Sequence, residues 1–570
     1  MPPWRCLVDG REPGGSLVEL VMLLGLLLIG ILPRLNTYLA HFPLWIDEAM
    51  VALNIGARSY VGLAQPLSYD QAAPLLFLWL ERLASRVGGM NEYALRAIPL
   101  LSGVALIPVT WCAARRAFGV REALVATLVI AMSLTLASYS AELKQYGVDA
   151  FVTMSVIGLA GSLRRSPGKA RRWHVLTVGG ILALGLSQPS VYVLVGVSAA
   201  LALDRRVRAT PHWHRHFVPQ ALLWGVTFVV LYAAFYRTAA GNPYLRRVWE
   251  GAFLAPDAPR LGERIGRAAA AILVRPLGPP SWLGRPPLQV ASACVVFGVG
   301  AVACWRRDRS ACVLLIAPIA ALVAASTAGF YPIAPRLALC IFPLVACLYG
   351  LAVVAAVDLL LPGAARLGFT IIVVSFVVWR LGPLRDYIRD VGAVEPTRVE
   401  EVRELISSIR PRRQGEPIYV MARAVPAWVF YTTNWNAPDY GRLTWFARAA
   451  SSTGLAFENR PSRGHPIDRE GDSLIYPTPE GLEVIGIGAG MQYLQYTSAV
   501  EPRPDDGWAR NEVRRIRDVA TPRAWVVLAH YAKVQRDELL QAIRDAGGMV
   551  TGATVAQNAL AWHVEFGSTS

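Results

Sequence analysis

Apolar runs of membrane-spanning length alternate with short polar loops over residues 16–381, and beyond that point the pattern changes. A helix crossing a bilayer needs about 20 predominantly apolar residues. Runs of that kind fall at 16–35, 94–113, 122–140, 147–163, 217–236, 288–304, 310–327, 337–357 and 368–381. The longer apolar stretch 173–203 is interrupted by Ser187-Gln188-Pro189-Ser190. Proline removes a helix donor, so this stretch predicts two short helices forming a hairpin. Residues 74–88 (PLLFLWLERLASRVG) are short for a span and carry Glu81, Arg82 and Arg86, which predicts a helix lying in the interface. The first run is long, lacks a small-residue cleavage site and ends in Pro33-Arg34, so it reads as a retained span.

The tail mixes charge with short β-rich runs at Pro417–Met421 and Ala524–His530 and an amphipathic helix at Asp537–Ala546. That alternation predicts a small α/β domain. The expected organisation is therefore an α-helical multi-pass membrane module over 1–381 and a soluble α/β domain over 382–570.

Charge orients this pattern. Basic loops stay cytoplasmic, and four clusters stand out: Arg115, Arg116 and Arg121; Arg164, Arg165, Lys169, Arg171 and Arg172; Arg205, Arg206, Arg208 and Arg215; Arg306, Arg307 and Arg309. All four share one side if 74–88 does not cross. The count then becomes about 11 spans, with a cytoplasmic N-terminus and an extracytoplasmic C-terminal domain. Only 17% of residues are charged and 54% are hydrophobic, against about 25% charged in a soluble domain. A net charge of +16 could suit nucleic acid, but the basic residues sit in short loops between apolar runs. Membrane lipids are the implied partners, and nucleic acid is not. None of the seven cysteines follows position 347, and their spacings suggest neither a zinc site nor a disulfide framework.

Ionisable groups near membrane depth are costly and mark sites or pair with one another. The extracytoplasmic side collects them in four places. The first is Pro43–Glu48 (PLWIDE), ahead of a helical stretch 49–58; Asp47 and Glu48 are adjacent, so on a helix they point about 100° apart and would do different jobs. An acidic first turn that favours the helix dipole is the plain alternative. The second is Tyr69-Asp70-Gln71, where Asp70 could equally be a turn residue. The third is Tyr139–Asp149, which holds Glu142, Lys144, Tyr146 and Asp149. Lys144 is one of only three lysines among 56 basic residues; it would suit a phosphate, or merely neutralise Glu142. The fourth is Tyr331–Arg336, where Arg336 opens a span and alone would be a snorkelling arginine. Together, carboxylates and cations from distant loops suit transfer of a group from a phosphate to a hydroxyl or amine. A carboxylate would act as base and the cations would hold the departing phosphate.

In these segments the chain resembles GT-C membrane glycosyltransferases, in the bacterial group similar to dolichyl-phosphate-mannose protein mannosyltransferases that also holds aminoarabinose and galacturonosyl transferases. The resemblance rests on PLWIDEA (43–49), YDQAAPLLFLWL (69–80), NEYALRAIPLLSG (91–103), RRAFGVREALVATLVI (115–130), YSAELKQYGVDAF (139–151) and FYPIAPRLALCIFPL (330–344), in that order. It implies a polyprenyl-phosphate-linked sugar donor, an envelope acceptor, and inverting transfer on the outer face of the bacterial inner membrane. Asp47 matches the family's catalytic acid and Glu48 its neighbour. Lys144 lies where the family places a donor-phosphate cation. The expected site is thus Asp47, Glu48 and Asp70 as catalytic acids, Lys144 and Arg336 on the donor phosphate, and Glu142, Tyr146, Asp149 and Arg96 in support. Two carboxylates could hold a divalent ion such as Mg²⁺, but the resemblance argues against a required metal, and no other cofactor is implied. One departure is Asp70-Gln71, where some relatives have an acid–Lys pair.

Two motifs are set aside. His212-x-His214-x-His216 lies in a basic loop without cysteine or a carboxylate set, and Gly486-Ile487-Gly488-Ala489-Gly490 lacks nucleotide-fingerprint spacing and reads as a loop. Two other functions compete. A transporter of lipid-linked saccharides would predict paired broken helices in the two halves, whereas only 173–203 is broken. A structural or sensory protein would have no use for the acidic first loop.

Overall fold

The computed structural model describes residues 17–277, 286–390, 399–412, 416–421, 423–433, 435, 473–478, 481–486, 508–520, 522–531 and 533–567. The chain opens with helices α1 (Leu17–Leu39), α2 (Ile46–Ala57), α3 (Leu75–Gly88), α4 (Glu92–Ala117), α5 (Val120–Ala131), α6 (Leu134–Tyr139), α7 (Tyr146–Arg165), α8 (Ala170–Leu186) and α9 (Ser190–Leu203). Long helices follow at His214–Ala240, Pro286–Arg307, Arg309–Thr327, Leu337–Leu360 and Ala365–Arg389.

Among the described residues eight helices are long and apolar enough to cross a membrane. Three of the expected spans, α5, α8 and α9, are shorter, and the helix α8–α9 pair is the hairpin broken at 187–189. Helix α3 has 14 residues, about 21 Å of rise against a hydrocarbon core of about 30 Å. Helix α1 runs through Pro33-Arg34, past its expected end at 35, and the last long helix runs past 381 to Arg389.

Arg34 explains a second difference, the division of the expected run 122–140 into α5 and α6. Its guanidinium, fully buried, donates to the carbonyls of Ile130 (3.0 Å) and Ala131 (3.2 Å). Those carbonyls end α5 without intrahelical donors, so a side chain from α1 closes the helix. Ser133 then caps α6 by accepting from Leu136 N at 3.2 Å. At the centre of the bundle, helix Phe342–Leu360 packs on α5 through Gly350, where a Cβ would lie 2.5 Å from the carbonyl oxygen of Glu122. Only glycine permits that approach.

Helix α7 spans the bundle from Tyr146 to the basic end at Arg164. There Arg164 pairs with Asp204 (2.6 Å) and Asp308 (2.8 Å), and Arg307 pairs with Glu122 (2.6 Å). The candidate acids and cations gather at the opposite end.

Among the described residues the tail forms a six-stranded mixed sheet, β1 (Ile418–Val420), β2 (Ser473–Thr478), β3 (Gly481–Gly486), β4 (Arg523–Ala529), β5 (Gly548–Ala556) and β6 (Ala559–Phe566), in the order β2-β3-β1-β4-β6-β5. Strand β1 runs parallel to β3 and β4; the other pairings are antiparallel. Strand alternation divides the side chains between two cores. Tyr419, Val526, Leu528 and Trp562 pack with Val513, Ile516, Leu539 and Ile543 of the helices Trp508–Val519 and Lys533–Asp545. Ile418, Val420, Trp525 and Val527 face the other way, into the hydrophobic core continuous with the helical bundle. Helix Val402–Ile409 lies in that seam and buries Val402, Leu405, Ile406 and Ile409, a helical stripe. Of the glycine run 486–490, Gly486 ends β3; its other residues and Cys6 lie outside the described residues.

Candidate active site

The first loop places its two acids on different faces of one helix. Helix α2 begins at Ile46, with Trp45 as N-cap and no side-chain cap of its own, so Asp47 and Glu48 fall in the first turn. Glu48 is 1% exposed and turns inward. Its Oε1 accepts from Arg96 Nε at 2.8 Å, and its Oε2 accepts from Arg96 Nη2 at 2.6 Å. Arg96 also donates to the carbonyls of Phe42 (2.7 Å) and Pro43 (3.3 Å), so one guanidinium from α4 fixes the backbone ahead of α2. Glu48 reaches further still: Oε1 accepts from Leu143 N at 2.7 Å. The residue before Lys144 is thereby tied to the residue after Asp47.

Asp47 points to the other side, where three elements converge. Its Oδ2 accepts from Arg336 Nη1 at 2.9 Å and lies 3.9 Å from Lys144 Nζ. The aspartate and Arg336 stay partly open, with about a quarter of each side chain exposed, whereas Lys144 is nearly covered. Burial on its own would raise the Asp47 pKa, but the neighbouring Lys144 and Arg336 charges reverse that and hold the carboxyl below its usual range. Burial likewise lowers the Lys144 pKa, against the attraction of Asp47.

Each cation has a second support. Lys144 Nζ donates to Gln71 Oε1 at 2.8 Å. Gln71 is the position where some relatives carry a lysine; here it is a neutral acceptor that steers the lysine of another loop. Next to it, Tyr69 and Asp70 both adopt positive φ (62° and 53°), and Asp70 Oδ1 accepts from Asn242 Nδ2 at 2.7 Å. Arg336 stands over the rings of Trp249 (4.9 Å) and Tyr146 (5.6 Å), and Tyr146 meets Tyr139 edge-on at 5.3 Å. Such cation–π contacts orient a guanidinium without neutralising it.

Of the expected residues, the structure brings Asp47, Lys144, Arg336 and Tyr146 together. Glu142 is buried beside Lys144 and acts on it electrostatically. Asp149 is buried one turn along α7 from Tyr146. Glu48 and Arg96 lie behind the cleft as an ion pair, and Asp70 faces Asn242. Trp249, Asn242 and Gln71 had no place in the expected site. Because Glu48 is committed to Arg96 and Leu143, the adjacent pair does not present two carboxylates to one ion. Among the described residues no group of three or more His, Cys, Asp or Glu stands in a metal-holding arrangement.

Residues 72–236 match the family described as dolichyl-phosphate-mannose-protein mannosyltransferase. No curated protein matches the chain in sequence. Among solved structures, ArnT from Cupriavidus metallidurans in the apo state aligns at 12% identity with a TM-score of 0.50, covering 93% of this chain and 96% of that one. The same protein bound to undecaprenyl phosphate aligns at 12% identity with a TM-score of 0.52, covering 95% and 97%. At that identity the likeness is one of architecture.

Proposed function

From a multi-pass membrane chain with the GT-C fold, we propose that this protein transfers a sugar, a hexose or pentose, from a polyprenyl-phosphate donor to an envelope acceptor with inversion. The observation that carries the reading is Asp47 Oδ2 set between Lys144 and Arg336 at the mouth of the bundle. The acceptor is a hydroxyl or amine of an envelope lipid, polysaccharide or protein. It attacks the anomeric carbon from the face opposite the phosphate. The new glycosidic bond forms as the bond from the anomeric carbon to phosphate oxygen breaks, and polyprenyl phosphate leaves with the electron pair. The acceptor proton passes to Asp47. Both cations meet Oδ2, which leaves Oδ1 as the proton acceptor.

Lys144 and Arg336 bind the donor phosphate and stabilise it as negative charge develops, which strengthens their contacts in the transition state. Their pull on Asp47 keeps it ionised and ready to accept a proton. Glu48 and Arg96 position the base, Gln71 positions Lys144, and Asp70 holds Asn242. No cofactor is assigned, since two side-chain cations supply the neutralising charge. The site faces the extracytoplasmic side, opposite the basic end of the bundle, with the N-terminus in the cytoplasm.

The test is release of free polyprenyl phosphate by purified protein in nanodiscs, given a panel of polyprenyl-phosphate sugars and an envelope extract as acceptor. Mass spectrometry of envelope glycans with and without the protein identifies the product. A transporter moves its cargo intact; lipid-saccharide movement without phosphate release would replace the present reading.

A further inference from the structure

The loop that carries Asp47 is held from both sides, and one of those sides is the C-terminal domain. Arg96 takes the carbonyls of Phe42 and Pro43. The remaining groups go to the tail. Arg403 Nη2 donates to His41 O at 3.1 Å, Leu44 N donates to Tyr431 Oη at 2.6 Å, and Ile46 N donates to Glu400 Oε2 at 3.0 Å. Tyr431 and Arg403 in turn both reach Glu92 Oε1, at 2.9 and 2.7 Å.

The Glu400 contact stands out, because Ile46 is the first residue of α2 and the helix has no cap from its own loop. An N-terminal N–H needs an acceptor, and a carboxylate there is favoured by the helix dipole. This acceptor comes from a residue 354 positions away. Glu400 is 1% exposed, and its other oxygen, Oε1, pairs with His530 Nδ1.

The fold fixes both partners. Asn558 Nδ2 donates to Val399 O at 2.8 Å, Glu401 N donates to Gln557 O at 3.0 Å, and Gln557 N donates to Glu401 Oε2 at 2.9 Å. The turn between β5 and β6 therefore grips the residues on either side of Glu400. His530 follows β4 with a φ of +52°, a left-handed conformation costly for a side-chain-bearing residue. Its N–H donates to Asn558 O at 3.2 Å and its carbonyl accepts from Arg423 Nη1 at 2.9 Å. The ring lies 6.2 Å from that of Trp45, the N-cap of α2.

We propose that Glu400 and His530 are positioning residues for Asp47: Glu400 closes the N-terminus of the catalytic helix, and His530 holds Glu400 in that place. The sheet domain then completes the active site of the membrane module. This rests on the reading of Asp47 as the base, and the experiment separates the two.

Glu400→Ala, Glu400→Gln and His530→Gln are compared with wild type in nanodiscs. Two readouts are taken, polyprenyl-phosphate release and hydrogen–deuterium exchange of the peptide covering 44–50. The donor KM should stay near wild type, since Lys144 and Arg336 are untouched. The kcat of Glu400→Ala should fall by about 10- to 100-fold, the scale of a misplaced reacting group. Glu400→Gln retains an acceptor oxygen and should recover part of it. Exchange at 44–50 should rise in Glu400→Ala while exchange elsewhere in the helical bundle stays at the wild-type level. Pairing Glu400→Ala with His530→Gln should add little to either change, because the two act in series. In an Asp47→Asn background Glu400→Ala should leave the residual rate unaltered. Wild-type exchange and kcat in Glu400→Ala would overturn the proposal. So would an equal loss in the Asp47→Asn background. If wild type itself releases no phosphate, the function reading fails, and exchange at 44–50 still decides whether Glu400 closes the helix.

Discussion

Asp47 and Glu48 are neighbours of the same chemistry, and replacing each by its amide should damage the protein in opposite ways. Glu48 is 2% exposed at the side chain and Arg96 5%. Its two oxygens accept three hydrogen bonds, at 2.6, 2.7 and 2.8 Å. An amide nitrogen cannot accept, so Glu48→Gln sets a donor against donors and leaves the Arg96 charge buried without a counter-charge. Breaking such a pair costs about 3–5 kcal/mol. The melting temperature in detergent should fall by roughly 3–4 °C. Glu48→Met with Arg96→Met should recover much of that loss, since no charge is then stranded. Asp47→Asn should melt close to wild type, because about a quarter of the side chain is exposed, while its kcat falls by about 10²–10⁴-fold. The assays are differential scanning fluorimetry and phosphate release on the same preparations. If Glu48→Gln melts with wild type yet loses activity as far as Asp47→Asn does, Glu48 is not an anchor and the division of labour is refuted.

Lys144 loses its proton more readily than an ordinary lysine, so the rate should decline on the alkaline side below the usual lysine range of about 10.4. Lys144→Arg should move that decline upward in a pH–rate profile and keep part of the activity, whereas Lys144→Met should lose most of it without unfolding. Trp249→Ala removes the ring nearest Arg336 and should raise the donor KM several-fold with little change in kcat, read from initial rates. Prolonged treatment with a chelator should leave the rate unchanged, since Glu48 is committed to Arg96; a rate lost on chelation and restored by a divalent ion would place an ion at Asp47. Single cysteines at the exposed Ser59 and Arg86 should both react with an impermeant thiol reagent from outside, and one at Gly168 should not; opposite labelling of the first two would mean that α3 crosses.

Much of the helical bundle is written in the chain as uninterrupted apolar length, which local composition alone determines. The break between α5 and α6 is not, because it depends on Arg34 of α1 reaching the carbonyls of Ile130 and Ala131. The site shows the same division. Asp47, Lys144 and Arg336 are legible because charge near membrane depth is costly and so must have a purpose. The partner of Glu48 is not legible, since nothing local couples it to Arg96, 48 residues away. Gln71 reads in the sequence as a lost cation, while in space it is the acceptor that aims Lys144. Glu400, Tyr431 and His530 carried no signal at all. Glu400 and Tyr431 meet backbone N–H groups of another loop and His530 meets Glu400, and backbone groups look alike in every sequence.

The tail's hold on the first loop also has a meaning in time. Leu44 and Tyr431 are 387 residues apart, and Ile46 and Glu400 are 354 apart. At a synthesis rate of about 5–20 residues per second, the catalytic loop waits roughly 20–70 s for Glu400 to be made. His530 and the β5–β6 turn follow later still. During that interval the bundle can insert and pack, but helix α2 lacks its cap. On the proposed reading, a nascent chain already in the membrane therefore carries an unfinished site. On the proposed reading, the order of residues along the chain delays competence for chemistry until the tail has been made.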